Sequence, residues 1–112
     1  MADFKTVAQA DELGENEAIL VRYGRIPVII FNIGGEYHAI EDKCTHADVA
    51  LSGGEVNLNT CQITCPKHGA AFDIKTGQAL SAPAVVPVMT FDVREHEGDI
   101  QLAPMGRRAN RD

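Results

Sequence analysis

The sequence predicts an all-β domain, a small sandwich or barrel of antiparallel strands. Short apolar runs rich in β-branched residues recur along the chain, and 10 Gly and 5 Pro residues are spread between them. Only residues 7–13 have a pattern that would fit a short helix. With 112 residues the chain has room for one domain, which we expect at residues 1–106.

Three strands are predicted in the first half of the chain. Residues 18–21 are apolar, and Gly24 would turn the chain after them. Residues 28–31, Val-Ile-Ile-Phe, are β-branched and aromatic, and the sequence Asn-Ile-Gly-Gly that follows them is typical of a hairpin. Residues 37–40 would continue the meander as the next strand.

A further hairpin is predicted near the end of the chain. Residues 88–93 alternate with a period of two, which indicates a half-buried strand. The residues Glu97-Gly98-Asp99 have the composition of a turn, and residues 100–102 would form the returning strand.

Charge and hydropathy exclude several classes of function. The formal net charge of −6 argues against a nucleic-acid partner. The sequence has no apolar run of about 18 residues and no basic start followed by an apolar stretch, so we expect neither a membrane span nor a signal peptide. We therefore expect a monomeric protein of the cytoplasm that does not contact membranes. Residues 107–112, with three Arg and one Asp, are predicted to be a disordered basic tail.

Residues 42–84 interrupt the β pattern, and they contain all three Cys and two of the four His residues. Cys44 and His46 form a Cys-x-His pair, and Cys65 and His68 form a Cys-x-x-His pair, with 18 residues between the two pairs. Each pair is short enough for both side chains to reach one point. We predict that this segment is an inserted subdomain that binds a metal group.

Two such Cys–His pairs would fit three kinds of site. A structural zinc site accepts two Cys and two His ligands, although zinc fingers usually keep like ligands together in the sequence. A catalytic Cys–His pair is the second possibility, but it would leave the other pair without a role. The third is a 2Fe–2S centre with both cysteines on one iron and both histidines on the other.

Four short segments of the chain resemble the Rieske iron–sulfur domain: Cys44-Thr45-His46-Ala47, Cys65-Pro66-x-His68-Gly69, Phe72-Asp73 and Thr76-Gly77. The resemblance extends over nearly the whole chain. It is closest to the small soluble Rieske-type ferredoxins of bacterial dioxygenase systems that hydroxylate aromatic rings.

The resemblance implies a Rieske-like β-sandwich or barrel that binds one 2Fe–2S cluster. It implies that Cys44 and Cys65 bind one iron, and that His46 and His68 bind the other. It also implies that the two ligand segments lie at one tip of the sandwich, with residues 81–84 in a third loop that covers the cluster.

The function that the resemblance implies is one-electron transfer, from a flavin-dependent reductase to a terminal oxygenase, without substrate chemistry in this chain. A catalytic oxygenase subunit would need a second iron site, for which only His38 and His96 remain. The alternatives are the small Rieske subunit of a nitrite reductase or of another redox complex, and a structural zinc-binding module.

Two positions after the second histidine predict a low reduction potential. High-potential members of the family carry Ser two residues and Tyr four residues after this histidine, and both hydroxyls donate hydrogen bonds to sulfur. The corresponding residues here are Ala70 and Phe72. We therefore expect a potential near the low end of the Rieske range, which runs from roughly −150 to +300 mV.

Smaller expectations concern the third cysteine and three glycines. Cys61 is expected to be a small buried residue in a strand. Gly53, Gly54 and Gly69 are expected to permit positive φ or a close approach of the backbone to the cluster. The backbone N–H groups near Gly69 and Ala70 would then donate to sulfides.

Overall fold

The computed structural model describes residues 4–43, 50–66, 69–80 and 87–106. Within these residues the chain forms nine strands in two antiparallel sheets and one turn of 3-10 helix, Ala10–Glu12. The strands are β1 (Lys5–Gln9), β2 (Glu17–Tyr23), β3 (Ile26–Ile33), β4 (Glu36–Glu41), β5 (Val56–Asn57), β6 (Gln62–Thr64), β7 (Ala71–Asp73), β8 (Thr90–His96) and β9 (Asp99–Gly106). No helix in these described ranges is long and apolar enough to cross a membrane.

The larger sheet has the strand order β1-β9-β8-β4-β3-β2. Its two edge strands, β1 and β2, contact each other, so the sheet curls into a near-barrel. The smaller sheet has the order β5-β6-β7 and lies within the segment that separates β4 from β8. The predicted all-β class is confirmed, and the strands expected at residues 18–21, 28–31 and 37–40 lie inside β2, β3 and β4.

The predicted C-terminal hairpin is confirmed as β8 and β9, but two predicted elements differ in their bounds. Residues 7–9 belong to β1, and the helical turn is confined to Ala10–Glu12. Pairing of β1 with β9 explains the difference, because hydrogen bonds to a distant strand override a weak local helical pattern. The strand expected from residue 88 begins at Thr90, since the Val88 N–H donates instead to the Gly77 carbonyl (2.8 Å).

Strand β3 is buried on both faces, and its alternate side chains enter two apolar clusters of the described residues. The cluster that we call the barrel core contains Ala8, Leu13, Tyr23, Val28, Ile30, Ala39, Phe91, Ile100 and Leu102. The cluster that we call the site core contains Ile29, Phe31, Ile40, Leu51, Ile63, Cys65, Ala70, Phe72, Ile74 and Val88. Full burial of one such large side chain stabilises the fold by about 1.5–3 kcal/mol.

The two ends of the near-barrel differ in charge. At the end that we call the turn end, the Ala10 N–H donates to the Gly98 carbonyl (2.8 Å) and ties the 3-10 helix to the β8–β9 turn. The segments of this end, residues 10–17, 33–38 and 95–99, are all described and contain no Lys or Arg but eight acidic residues: Asp11, Glu12, Glu15, Glu17, Glu36, Glu95, Glu97 and Asp99. The opposite end, the loop end, is where β4 leads into the first Cys–His pair.

One tyrosine near the turn end has a shifted pKa. Burial raises the pKa of Tyr37 above its ordinary value of 10.0, and the Glu95 carboxylate, which accepts its hydroxyl hydrogen bond, raises it further. The stability that this arrangement contributes is therefore fully present below the ordinary pKa and is lost as the pH rises through the raised value.

Candidate metal centre

Of the four predicted ligands, Cys65 is within the described residues. Cys44, His46 and His68 lie outside them, as do the predicted covering loop at residues 81–84 and the tail at 107–112. Accordingly, no three His, Cys, Asp or Glu side chains come together as a metal-binding group in the described part of the chain. The described residues instead show where three segments begin and end: the two that carry the predicted Cys–His pairs, and the predicted covering loop.

Cys65 begins the connection between β6 and β7. Its backbone N–H donates to the Ala70 carbonyl (2.7 Å), and the Gly69 N–H donates to the Cys65 carbonyl (3.0 Å). Gly69 has φ +74°, as expected, in the left-handed region that glycine adopts without a steric penalty. Two backbone hydrogen bonds thus close residues 65–70 into a narrow loop and fix both ends of the segment that carries the second ligand pair.

The side chain of Cys65 is part of the site core. The residue is 1% exposed and belongs to the same apolar cluster as Phe72 and Leu51. An ionised thiolate in such surroundings is costly unless a metal or another partner balances its charge. Two thiolates and two neutral imidazoles would balance two ferric ions and two sulfides, and the neutral group that results suits an apolar site.

The segment that carries the first ligand pair is fastened at both ends. Asp42, 8% exposed, follows β4 and donates its backbone N–H to the Pro27 carbonyl (2.8 Å). Its carboxylate Oδ1 accepts the backbone N–H of Ser52 (2.7 Å), ten residues further along the chain. The neighbouring Leu51 is fully buried in the site core. The described residues on both sides of the first predicted ligand pair are therefore anchored.

The exit of the first segment packs against the start of the second. A Cβ atom on Gly54 would collide with the carbonyl of Thr64, and one on Gly53 would lie 3.9 Å from Cγ of Pro66. The close neighbour of Gly54 is the backbone of β6, and the approach to a cluster that was expected at Gly53 and Gly54 stays a prediction. The described stems of the two predicted ligand-bearing segments are thus adjacent at the loop end.

The third segment starts beside the second. The Leu80 N–H donates to the Ala71 carbonyl (2.8 Å), so residue 80 lies next to the end of the Cys65 loop. At the other end, the Val88 N–H donates to the Gly77 carbonyl. The described residues on either side of the three predicted segments therefore lie near Cys65.

The turn at residues 73–78 gives a structural reason for the two shorter sequence matches. The Asp73 carboxylate accepts the N–H groups of Lys75 (2.8 Å) and Thr76 (3.0 Å), and the Asp73 carbonyl accepts that of Gly77 (2.8 Å). The chain turns back on β7 through these bonds, and this turn brings residue 80 beside Ala71.

We expect Gly77→Ala to destabilise the protein by about 2–4 kcal/mol, which lowers Tm by roughly 10 °C or more. Gly77 has φ +79°, and a Cβ atom there would collide with the Val88 carbonyl and lie 2.8 Å from Cγ2 of Thr90. Gly98→Ala is the matched control, because Gly98 has φ +84° and open space around it. Thermal unfolding of both variants checks the prediction, and equal losses of Tm would contradict it.

The described residues bear on three further points of the sequence analysis. Cys61 is not a buried strand residue: it is half-buried in the turn before β6, has φ +58°, and its Sγ donates to the Leu58 carbonyl at 3.6 Å. The Gly69 N–H donates to the Cys65 carbonyl within its own loop, and donation from this loop to a sulfide stays a prediction. His38 and His96 lie near acidic neighbours at 3.4 and 3.8 Å, at or near the turn end and away from the predicted site.

The sequence analysis missed Asp42 and Ser52. Their contact joins residues ten positions apart, and no local pattern marks a carboxylate that will be buried. One signal was present: an acidic residue that immediately follows a β-strand and precedes a loop often accepts backbone N–H groups of that loop.

Comparison with known proteins gives consistent matches. The family model of the Rieske [2Fe-2S] domain matches residues 3–92. The 3-phenylpropionate/cinnamic acid dioxygenase ferredoxin subunit of Escherichia coli strain K12 is 41% identical over 90 residues, which cover 80% of this chain and 82% of that protein. The carbazole 1,9a-dioxygenase ferredoxin from Nocardioides aromaticivorans IC177 superposes with a TM-score of 0.83 at 29% identity, over 92% of this chain and 99% of that chain. A chain in the complex of reduced oxygenase and oxidized ferredoxin of carbazole 1,9a-dioxygenase is 34% identical, with a TM-score of 0.78 over 89% of this chain and 92% of that chain.

Proposed function

The chain belongs to the Rieske [2Fe-2S] domain family, and we propose that Cys44, His46, Cys65 and His68 are the four ligands of its cluster. The protein is a Rieske-type ferredoxin that carries one 2Fe–2S cluster, an electron-transfer component rather than an enzyme. The observation that carries the ligand assignment is Cys65 itself. It is buried at the base of a closed loop, with the stems of all three predicted segments around it.

When bound, the cluster would supply one-electron redox chemistry. The residues of this chain bind it and control its surroundings. Cys44 and Cys65 would supply the thiolates, and His46 and His68 the neutral imidazoles. The site core excludes water from the Cys65 side.

The partners that we propose are a flavin-dependent reductase, which supplies the electron, and a terminal oxygenase, which receives it. The curated relative from Escherichia coli is a dioxygenase ferredoxin subunit, and one solved relative is a ferredoxin in complex with an oxygenase. We also propose that residues 1–106 form the Rieske domain, with its cluster-binding subdomain at about 42–84 and a basic tail at 107–112. On this proposal the protein works in the cytoplasm as a monomer.

Purified protein tests the proposed function. We expect a red-brown colour, two iron and two acid-labile sulfide per chain, and, after reduction, the electron paramagnetic resonance spectrum of a mixed Cys/His-ligated cluster. A flavin-dependent reductase should reduce the protein, and a terminal oxygenase should reoxidise it. Colourless protein that contains zinc and no sulfide would contradict the proposal and support the structural zinc alternative.

We expect electron transfer to the partners to depend only moderately on salt, falling by less than about tenfold between low and physiological ionic strength. Two exposed residues beside the Cys65 loop, Pro66 and Leu80, are uncharged, and Lys43 is an exposed charge at the start of the first segment. The acidic turn end lies roughly 25 Å away along β3, which is beyond the screening length of about 10 Å at 0.1 M salt. Stopped-flow rates over a salt series check this, and a fall of more than about a hundredfold would indicate a charged interface instead.

A further inference from the structure

The carboxylate of Asp42 spans the stem of the segment that carries the first ligand pair. Oδ1 of Asp42 accepts the N–H of Ser52 at 2.7 Å, and the Asp42 N–H donates to the Pro27 carbonyl at 2.8 Å. The bond to Pro27 fixes Asp42 to β3. Ser52, at the other end of the carboxylate bond, follows the first predicted ligand-bearing segment.

The link continues from Ser52 to the second ligand-bearing segment. Leu51 is fully buried in the site core with Cys65, and the Gly54 N–H donates to the Leu51 carbonyl (2.8 Å). Gly54 in turn lies so close to the Thr64 carbonyl that no side chain fits between them. Residues 51–54 therefore connect the hydrogen bond of Asp42 to Thr64, the residue that precedes Cys65.

We propose that Asp42 is a positioning residue that holds the first ligand-bearing segment in register with the Cys65 loop, and so keeps the cluster bound. The proposal rests on the proposed function. Cys44 is two residues from Asp42, so their Cα atoms are at most about 7.3 Å apart. A hydrogen bond from an N–H to a carboxylate is stronger than one to a neutral acceptor, and it closes a loop that would otherwise sample many conformations.

The chain offers a matched control for a purely structural role. Asn32 is also 8% exposed, and its Oδ1 accepts the backbone N–H of Gly35 (3.0 Å) across a turn, but at the turn end of the molecule. Asn32→Ala and Asp42→Ala each remove a buried polar side chain that accepts a backbone N–H. Asp42→Ala loses this hydrogen bond at the loop end of the near-barrel, whereas Asn32→Ala loses it at the turn end.

The test measures iron release from the cluster-loaded protein to excess chelator, at a temperature below every unfolding transition. We expect Asp42→Ala to release iron on the order of tenfold faster than the wild type and to shift the electron paramagnetic resonance g-values. Asn32→Ala should lower Tm but release iron within about twofold of the wild type. Asp42→Asn should restore slow release, because the amide oxygen still accepts the Ser52 N–H.

Equal release rates in Asp42→Ala and Asn32→Ala would overturn the proposal, as would fast release from Asp42→Asn. If Asp42→Ala does not fold, Ser52→Pro removes the same bond from the donor side, and Ser52→Ala, which keeps the N–H, is its control. Equal rates of iron release from Ser52→Pro and Ser52→Ala would also overturn the proposed role of Asp42. Wild-type protein without iron and sulfide contradicts the proposed function itself, whereas loaded wild type with unaffected variants contradicts only this inference.

Discussion

Cys65→Ser should yield colourless protein with no acid-labile sulfide. The thiolate is the ligand that iron requires, and a serine hydroxyl is a poor replacement. Cys65 is 1% exposed within the site core, so the variant also places a hydroxyl among apolar side chains, at a cost of about 1–3 kcal/mol if it finds no partner. Because cluster binding is coupled to folding, we expect a lower Tm as well. Iron and sulfide analysis with visible spectroscopy measures the loss.

Cys61→Ser is the control for this prediction. Cys61 is half-buried in the turn before β6, four residues from Cys65, and its thiol contacts only the Leu58 carbonyl among the bonds that the described residues show. We expect full iron and sulfide content and an unchanged spectrum. Bleached protein here, or full occupancy in Cys65→Ser, would show that the ligand assignment is wrong. Cys44→Ser should behave like Cys65→Ser, and His46→Ala and His68→Ala should lose the cluster or hold it weakly.

The midpoint potential should lie near the low end of the range of roughly −150 to +300 mV. Hydrogen bonds to the sulfurs favour the reduced cluster, which has the more negative charge, and the positions that supply hydroxyls in high-potential members hold Ala70 and Phe72. Both residues are fully buried in the site core together with Cys65. Redox titration checks this, and a potential above about +150 mV contradicts it.

Ala70→Ser tests the cause of that low potential. The Ala70 carbonyl accepts the Cys65 N–H at 2.7 Å, so a hydroxyl at position 70 is introduced directly beside a proposed ligand. If it donates to sulfur and stabilises the reduced form by about 1.4 kcal/mol, the one-electron potential rises by about 59 mV. Thr64→Ser, which changes a half-buried residue of β6 that already has a hydroxyl, is a control that should leave the potential unchanged.

The fold was predictable where its signals are local. Strand β3 reads as a continuous β-branched and aromatic run, and the two Cys–His pairs are recognisable by spacing alone. Strand β1 was not predictable, because its partner β9 lies about ninety residues away and its own residues fit a helix nearly as well.

The four ligands of the candidate site stay a prediction, and the contacts that support the site were not predictable from the sequence. The Asp42–Ser52 bond and the contact of Gly54 with Thr64 join residues ten positions apart in the sequence. Such contacts depend on how the chain turns between the two residues, and the residue types alone do not specify that path. The left-handed backbone of Cys61 was also unforeseen, since non-glycine residues adopt it only where the surrounding structure imposes it.

The acidic turn end determines how the molecule would lie on a charged support. The eight carboxylates of the turn end are attracted to a positively charged electrode or an anion-exchange resin. The molecule would therefore adsorb by this end, which is remote from the predicted ligand segments. On the proposed ligand assignment, the length of the near-barrel would then separate the cluster from the electrode, and direct voltammetry would be slow. A neutral or weakly negative surface removes this preference and allows the loop end to approach, so it is the better electrode for recording the potential.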